Sequence, residues 1–217
     1  MGSIPTVSII CQNIEPRFSS RRAGVLRRWG YLSVAEAAVP RCCQETKCPC
    51  SVRLAIPWPA VPRLRDEHPF RLLDPSRLSE EAIREAATIK GALRHGKVID
   101  LEQVPPLDFI LSGSVAVNLK GARVGKGGGF SDLEYGLLSE AGKVDRRTVV
   151  ATTVHPIQIL RQHLMVTAHD LPCDLIATPR AVIEVERQYE RPRGILWDHL
   201  QPPQIREIPV LERMGYA

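Results

Sequence analysis

No apolar run in this 217-residue chain approaches the roughly 20 residues that a membrane span needs. The short run from Val7 to Cys11 also lacks the length and flanks of a signal peptide. A soluble, cytoplasmic protein with no membrane partner is therefore expected. Two common nucleotide signatures are missing as well. A P-loop has four residues between its first glycine and Gly-Lys-Ser/Thr, whereas Gly121 and Gly125 are separated by three and Gly127 follows Lys126. A dinucleotide fingerprint beginning at Gly125 would need glycine at position 130, where Phe130 stands. Residues 1–60 contain no aspartate and no histidine, yet hold five of the six cysteines and 8 Lys and Arg against 3 Glu. The whole net charge of +5 lies in that segment, because residues 61–217 balance at 21 of each sign. Cys42, Cys43, Cys48 and Cys50 are spaced unlike the pairs of structural zinc sites, and a cytoplasmic setting disfavours disulfides, so they read as free thiols.

What is present is a glycine cluster, Gly125-Lys126-Gly127-Gly128-Gly129, followed by Phe130, Ser131 and Asp132. An apolar segment from Leu107 leads toward it. Behind it Leu133, Leu137, Leu138 and Ala141 share one helical face until Gly142 ends the pattern. Glycines let backbone amides turn toward an anion, a helix N-terminus adds partial positive charge, and Arg123 and Lys126 supply full charges. The same residues also fit a flexible glycine turn with a solvated lysine.

The chain divides by composition into a basic, Cys-rich segment (1–60), a patterned unit (61–186) and a C-terminal arm (187–217) expected to be extended. In the first segment, 21–38 fits a helix with a solvated arginine face, and the proline-rich stretch from Pro40 to Pro62 reads as loop. The composition break also fits a segment that is not native-like. From Val61 onward, Ser79 is placed to cap a helix that carries Ala82, Ala86, Ile89 and Leu93 on one stripe and ends at His95-Gly96, with Lys90 near its C-terminus. Runs at 98–101, 107–111, 115–119, 148–154 and 175–178 have strand length, and 116–121 is placed to insert a hairpin ahead of the glycine loop. This alternation predicts an α/β layered fold with a mostly parallel sheet, whose ligands lie beyond the carboxyl ends of strands. His155 at a strand end, and Asp170 between His169 and Asp174, sit where ligands bind, and carboxylates there suit magnesium held with nucleotide phosphates. The structural readings stay open beside these: Asp170 as a turn former ahead of Pro172, and Ser131 with Glu134 as a capping box that makes Asp132 a first-turn acid.

The segment Arg123 to Asp132, with Leu107-Asp108-Phe109-Ile110 before it and His169-Asp170-Leu171-Pro172-Cys173-Asp174 after it, resembles 5-formyltetrahydrofolate cyclo-ligase, also called methenyltetrahydrofolate synthetase. The likeness covers roughly 61–217 and is nearest to the archaeal-type branch. Pro62-Arg63-Leu64-Arg65, Leu72-Leu73-Asp74-Pro75-Ser76, Ile89-Lys90-Gly91-Ala92, Gly113-Ser114-Val115-Ala116-Val117 and Arg191-Pro192-Arg193-Gly194-Ile195 are of its type. The resemblance implies a three-layer α/β/α sandwich shared with sugar-phosphate isomerases and CoA transferases. It also implies an ATP- and Mg2+-dependent closure of a reduced folate to its methenyl form. A monomer or homodimer acting on small molecules is expected, with a nucleic-acid partner disfavoured but left open.

Carried over by position, Arg123, Gly125, Lys126, Gly127, Gly128, Gly129, Phe130 and Asp132 would bind ATP. Asp132 and Asp170 would hold the metal, and Lys90, Phe130 and His155 would approach the substrate. Phe130 and Ser131 stand where the family's well-studied enzymes have two tyrosines. A second function class therefore stands beside the ligase: a nucleotide- or RNA-binding protein that retains the loop without folate turnover.

Overall fold

The computed structural model describes residues Ile9–Cys11, 60–86 and 88–215. The helix expected at 21–38 and four of the N-terminal cysteines (Cys42, Cys43, Cys48 and Cys50) lie outside the described residues. In chain order the strands are β1 (Ile9–Cys11), β2 (Ala60–Pro62), β3 (Phe70–Leu72), β4 (Lys97–Ile99), β5 (Phe109–Leu111), β6 (Ala116–Asn118), β7 (Arg123–Val124), β8 (Val149–Thr153), β9 (Ile159–Leu160), β10 (Leu175–Ala177) and β11 (Val182–Glu184). The helices are α1 (Glu80–Ala86), α2 (Ile89–His95), α3 (Phe130–Glu140), α4 (Pro202–Glu207) and α5 (Pro209–Gly215). Eight strands form one sheet in the order β11-β10-β8-β5-β1-β2-β3-β4, and β7-β6-β9 form a second, smaller sheet.

The fold is mixed α/β, with its parallel pairing concentrated where the sequence is most apolar. In the large sheet β5 pairs parallel with β8, and β8 with β10, while every other neighbour pair is antiparallel. Strands β5 (Phe-Ile-Leu) and β10 (Leu-Ile-Ala) are buried at every position, as strands covered on both faces must be. Between β5 and β8 the chain makes the expected hairpin, β6 against β7, which turns at Gly121 with a φ of 91°. It then makes α3. That insertion shifts the glycine loop: it follows β7 of the small sheet rather than a strand of the parallel core.

Helix α3 buries Tyr135, Leu137 and Leu138 against Ile110, Val150 and Ile176. Each such side chain contributes about 1.5–3 kcal/mol by leaving water. The helix stops where expected, with Ala141 as its C-cap and Gly142 left-handed at a φ of 65°. Its start differs from a capping box: the N-cap is Gly129, and Ser131 and Glu134 lie buried inside the helix. The expected single helix from Ser79 to His95 is two, α1 and α2. Ser79 caps the first through Ala82 N at 3.2 Å, and Thr88 caps the second through Gly91 N at 3.1 Å. Gly91 explains the break, since a Cβ there would lie 1.9 Å from the Glu85 carbonyl oxygen, so the two helices meet at a point that admits only hydrogen.

The distal half of the C-terminal arm is helical rather than extended. Pro202 and Pro209 start helices, because a residue at the first helical position has no intrahelical use for its N–H. The arm's Ile195, Ile208, Val210 and Leu211 belong to the main core. Asp174 ties its near end down: it accepts from Val150 N at 2.8 Å, pairs with Arg191, and lies 3.5 Å from Arg187. Arg191 also donates to the Thr148 carbonyl at 2.6 Å.

Two outcomes test this packing. Gly91→Ala removes a helix-weakening glycine, a gain of up to about 1 kcal/mol, but the clash outweighs it. A net loss of about 2 kcal/mol is expected in urea unfolding. Cys173 is fully buried, with its thiol proton directed at the Gly121 carbonyl 3.6 Å away, and burial pushes its pKa up to about 12. It therefore stays protonated at pH 8, and the Cys173 peptide should remain unalkylated by iodoacetamide in the native protein and react fully in denaturant, as read by mass spectrometry.

Candidate active site

The glycine loop joins β7 to α3. Gly127 and Gly129 have φ values of 90° and 65°, a region that residues with a Cβ enter at a cost. A Cβ on either would meet no atom within 4 Å, so the loop's outer side is open. None of the amides from Lys126 to Gly129 donates to a backbone carbonyl among the described residues. Open amides, left-handed glycines and the N-terminus of an 11-residue helix together make an anion cradle. Lys126 is exposed at its rim and forms no ion pair among the described residues. Phe130, the first residue of α3, folds its ring against Gly128, where a Cβ would be 2.8 Å from a ring carbon.

Beneath the loop lies a charged tie. The Arg123 side chain is 2% exposed and Asp132 is 17% exposed, and they pair at 2.5 Å. Arg123 Nε donates to the Leu171 carbonyl at 2.7 Å, and Leu171 N donates to Asp132 Oδ1 at 2.9 Å. Burial pushes the Asp132 carboxyl above its ordinary range, while the Arg123 guanidinium and the Leu171 N–H pull it back. Three segments are thus closed into one ring: the first residue of β7, the start of α3 and the irregular run into β10. Arg123 therefore works beneath the loop, with two of its nitrogens engaged by protein.

Asp170 directly precedes Leu171, whose N–H and carbonyl close the tie, and so belongs to the same neighbourhood. Its Oδ2 accepts from Thr167 N at 2.7 Å and Thr167 Oγ1 at 2.9 Å, and Oδ1 stands 3.8 Å from His169 Nε2. Asp132 and Asp170 each keep one oxygen outside these close bonds. No group of three or more His, Cys, Asp or Glu with metal-binding geometry occurs among the described residues. Magnesium does not require one, because it is commonly held by one or two carboxylates with water and phosphate completing its shell. Asp132 and Asp170, each with an oxygen uncommitted, are the carboxylates that could enter such a shell. A cavity of about 80 Å³ adjoins Asp132, lined also by Gly136, His169, Ile195, His199 and Gln204. It has room for a few waters and not for a nucleotide.

The other sequence candidates sit on other elements, and His155 lies in the turn that Gln158 ties to Val115, the neighbour of Val124 just ahead of the loop. Lys90 is exposed in the first turn of α2, beside the small cluster of Leu73 and Ala92, and no hydrogen bond or ring contact joins it to the loop among the described residues. His155 caps a 3-10 turn: its ring nitrogen accepts from Ile157 N at 3.3 Å, and Gln158 reaches from that turn to the Val115 carbonyl at 2.9 Å. Sequence reasoning missed Leu171, which acts through its backbone and so leaves no residue-type signal. It also quoted Arg65 only as part of a motif, although the guanidinium carbon of Arg65 lies 5.1 Å from the Phe130 ring centroid.

The buried tie makes a direct prediction. Asp132→Ala leaves a guanidinium buried without its counter-charge, which should cost about 3 kcal/mol of unfolding free energy in denaturant titrations. Asp132→Asn keeps an acceptor for Leu171 N and should lose less.

Residues 59–179 match the 5-formyltetrahydrofolate cyclo-ligase family. The chain is 34% identical over 155 residues to the methenyltetrahydrofolate synthase domain-containing proteins of Danio rerio, Mus musculus and Homo sapiens, an overlap of 71% of this chain in each case. It spans only 40–42% of the length of those relatives. With more than half of the chain matched, and with the glycine loop and its Arg123–Asp132 tie inside the matched span, the protein belongs to the 5-formyltetrahydrofolate cyclo-ligase family.

Proposed function

We propose that the chain catalyses the ATP- and Mg2+-dependent closure of 5-formyltetrahydrofolate to 5,10-methenyltetrahydrofolate, releasing ADP and phosphate. The observation that carries this reading is the open glycine cradle at the head of α3, held by a buried ion pair, in a chain of the cyclo-ligase family. ATP dependence is general in that family.

The formyl oxygen attacks the γ-phosphorus, the bond from that phosphorus to the β-γ bridging oxygen breaks, and ADP leaves. N10 then bonds to the activated formyl carbon, phosphate departs with the former formyl oxygen, and the N10 proton is released. No side-chain nucleophile is needed, and catalysis is positioning and charge neutralisation. The amides of 127–129 and the ammonium of Lys126 hold phosphate oxygens. Arg123 fixes the loop from beneath, and the Phe130 ring offers an apolar wall to the substrate. Asp132 and Asp170 would hold magnesium, which supplies neutralising charge to the phosphates when bound.

The test is absorbance at the methenyl band with purified protein, 5-formyltetrahydrofolate, magnesium and ATP. Because Asp132 variants lose stability as well as function, the better control is Lys126→Ala, which alters an exposed side chain. An ATP-dependent rise that falls at least about tenfold in Lys126→Ala is expected, the effect of removing one charged phosphate contact. No rise from protein that still binds ATP would instead support the non-catalytic binding class.

A further inference from the structure

The loop's cations differ in how they are held. Arg123 is buried and committed to Leu171 and Asp132. Arg65, in the connection from β2 to β3, has an exposed guanidinium that sits over the Phe130 ring, 5.1 Å from its centroid. That ring lies against Gly128, so Arg65 is one side chain away from the open amides. Its ion-pair partner is Glu207 on α4, at 3.1 Å, and the two side chains are 64% and 61% exposed. An ion pair this exposed contributes little to stability. A guanidinium stacked on an aromatic face keeps its edge N–H groups available, in a planar fork that matches phosphate oxygens.

We propose that Arg65 is a phosphate-binding residue of this site, parked on Glu207 when the loop is empty and transferred to the nucleotide's outer phosphates when it is filled. The inference rests on the proposed use of ATP. It adds a phosphate contact from outside the glycine loop and gives Glu207 a defined role as the carboxylate that phosphate displaces. A phosphate with more than one charge outcompetes a solvated carboxylate for the same fork.

Calorimetric titration with ATP and with AMP, in magnesium, tests it on the full chain. Arg65→Ala should weaken ATP about tenfold, the worth of one charge-assisted contact, and leave AMP within twofold. Arg65→Lys, which keeps the charge and loses the fork, should fall between. Glu207→Gln should bind ATP at least as tightly as the unsubstituted chain. The proposal is overturned by Arg65→Ala binding ATP normally, by equal losses for ATP and AMP, or by Glu207→Gln losing affinity as Arg65→Ala does, since the pair would then be a structural strut. An Arg65→Ala defect confined to the folate KM would also overturn it, assigning Arg65 to the folate carboxylates. If the unsubstituted chain binds no ATP, the ligase reading fails and this inference with it; if it binds and Arg65→Ala matches it, only the inference fails.

Discussion

A guanidinium that is 2% exposed has to be neutralised by protein, and the way Arg123 is neutralised organises the rest of the site. The ring's three members come from three places in the chain: Arg123 from the hairpin, Asp132 from the first turn of α3, and Leu171 from the run into β10. Removing two charges from water is costly unless each remaining donor and acceptor finds a partner, and here Leu171 supplies both a carbonyl and an N–H. The closed ring sets where α3 begins, and therefore where the glycine amides end up. A loop of four glycines has many conformations, and freezing it costs entropy that the ring beneath helps to offset.

A second constraint acts at the centre of the large sheet. The three residues Ile9–Cys11 pair antiparallel with β5 on one side and β2 on the other. Without them the parallel core of β5, β8 and β10 would be separated from the antiparallel group β2, β3 and β4. The β2–β3 connection, which carries Arg65, is thus held in position partly through this short strand. The C-terminal arm closes the other side, with Arg65 paired to Glu207 and Arg213 donating to the Glu67 carbonyl at 3.0 Å. The surroundings of the loop are drawn from both ends of the chain and from its middle.

How legible this was depends on the kind of force involved. Strands β5, β8 and β10 and helix α3 were readable because apolar periodicity and length are properties of contiguous residues. The hairpin ahead of the loop was readable from Gly121. The split between Ala86 and Ile89 was not, because it comes from the close approach of two helices at Gly91, and an unbroken apolar stripe across 82–93 suggests continuity. The arm was misread because prolines that open helices look the same as prolines that prevent them. In the site, the structure joins two of the residues named from the loop and its resemblance, Arg123 and Asp132, through the backbone of Leu171, the neighbour of Asp170. Lys90 and His155 were chosen by local position, and the structure gives each a local place: Lys90 in an exposed first turn, His155 capping a 3-10 turn.

The division between buried and exposed charge bears on what kind of catalyst such a site can be. A side chain locked like Arg123 cannot follow a substrate, but it keeps the loop in place, so that in the proposed reaction little reorganisation would be needed when charge moves to the phosphate. Exposed cations do the opposite: in the proposed nucleotide complex Lys126 and Arg65 would adapt to the ligand and contribute only once it is present. Preorganisation therefore belongs to the buried ring and ligand discrimination to the rim. Substitution at the rim can change which anion is held without unfolding the domain, whereas the same change beneath the loop acts first on the fold. The bonds that close the ring run between Arg123, Asp132 and Leu171, so a change of ring type at Phe130 leaves those three partners in place.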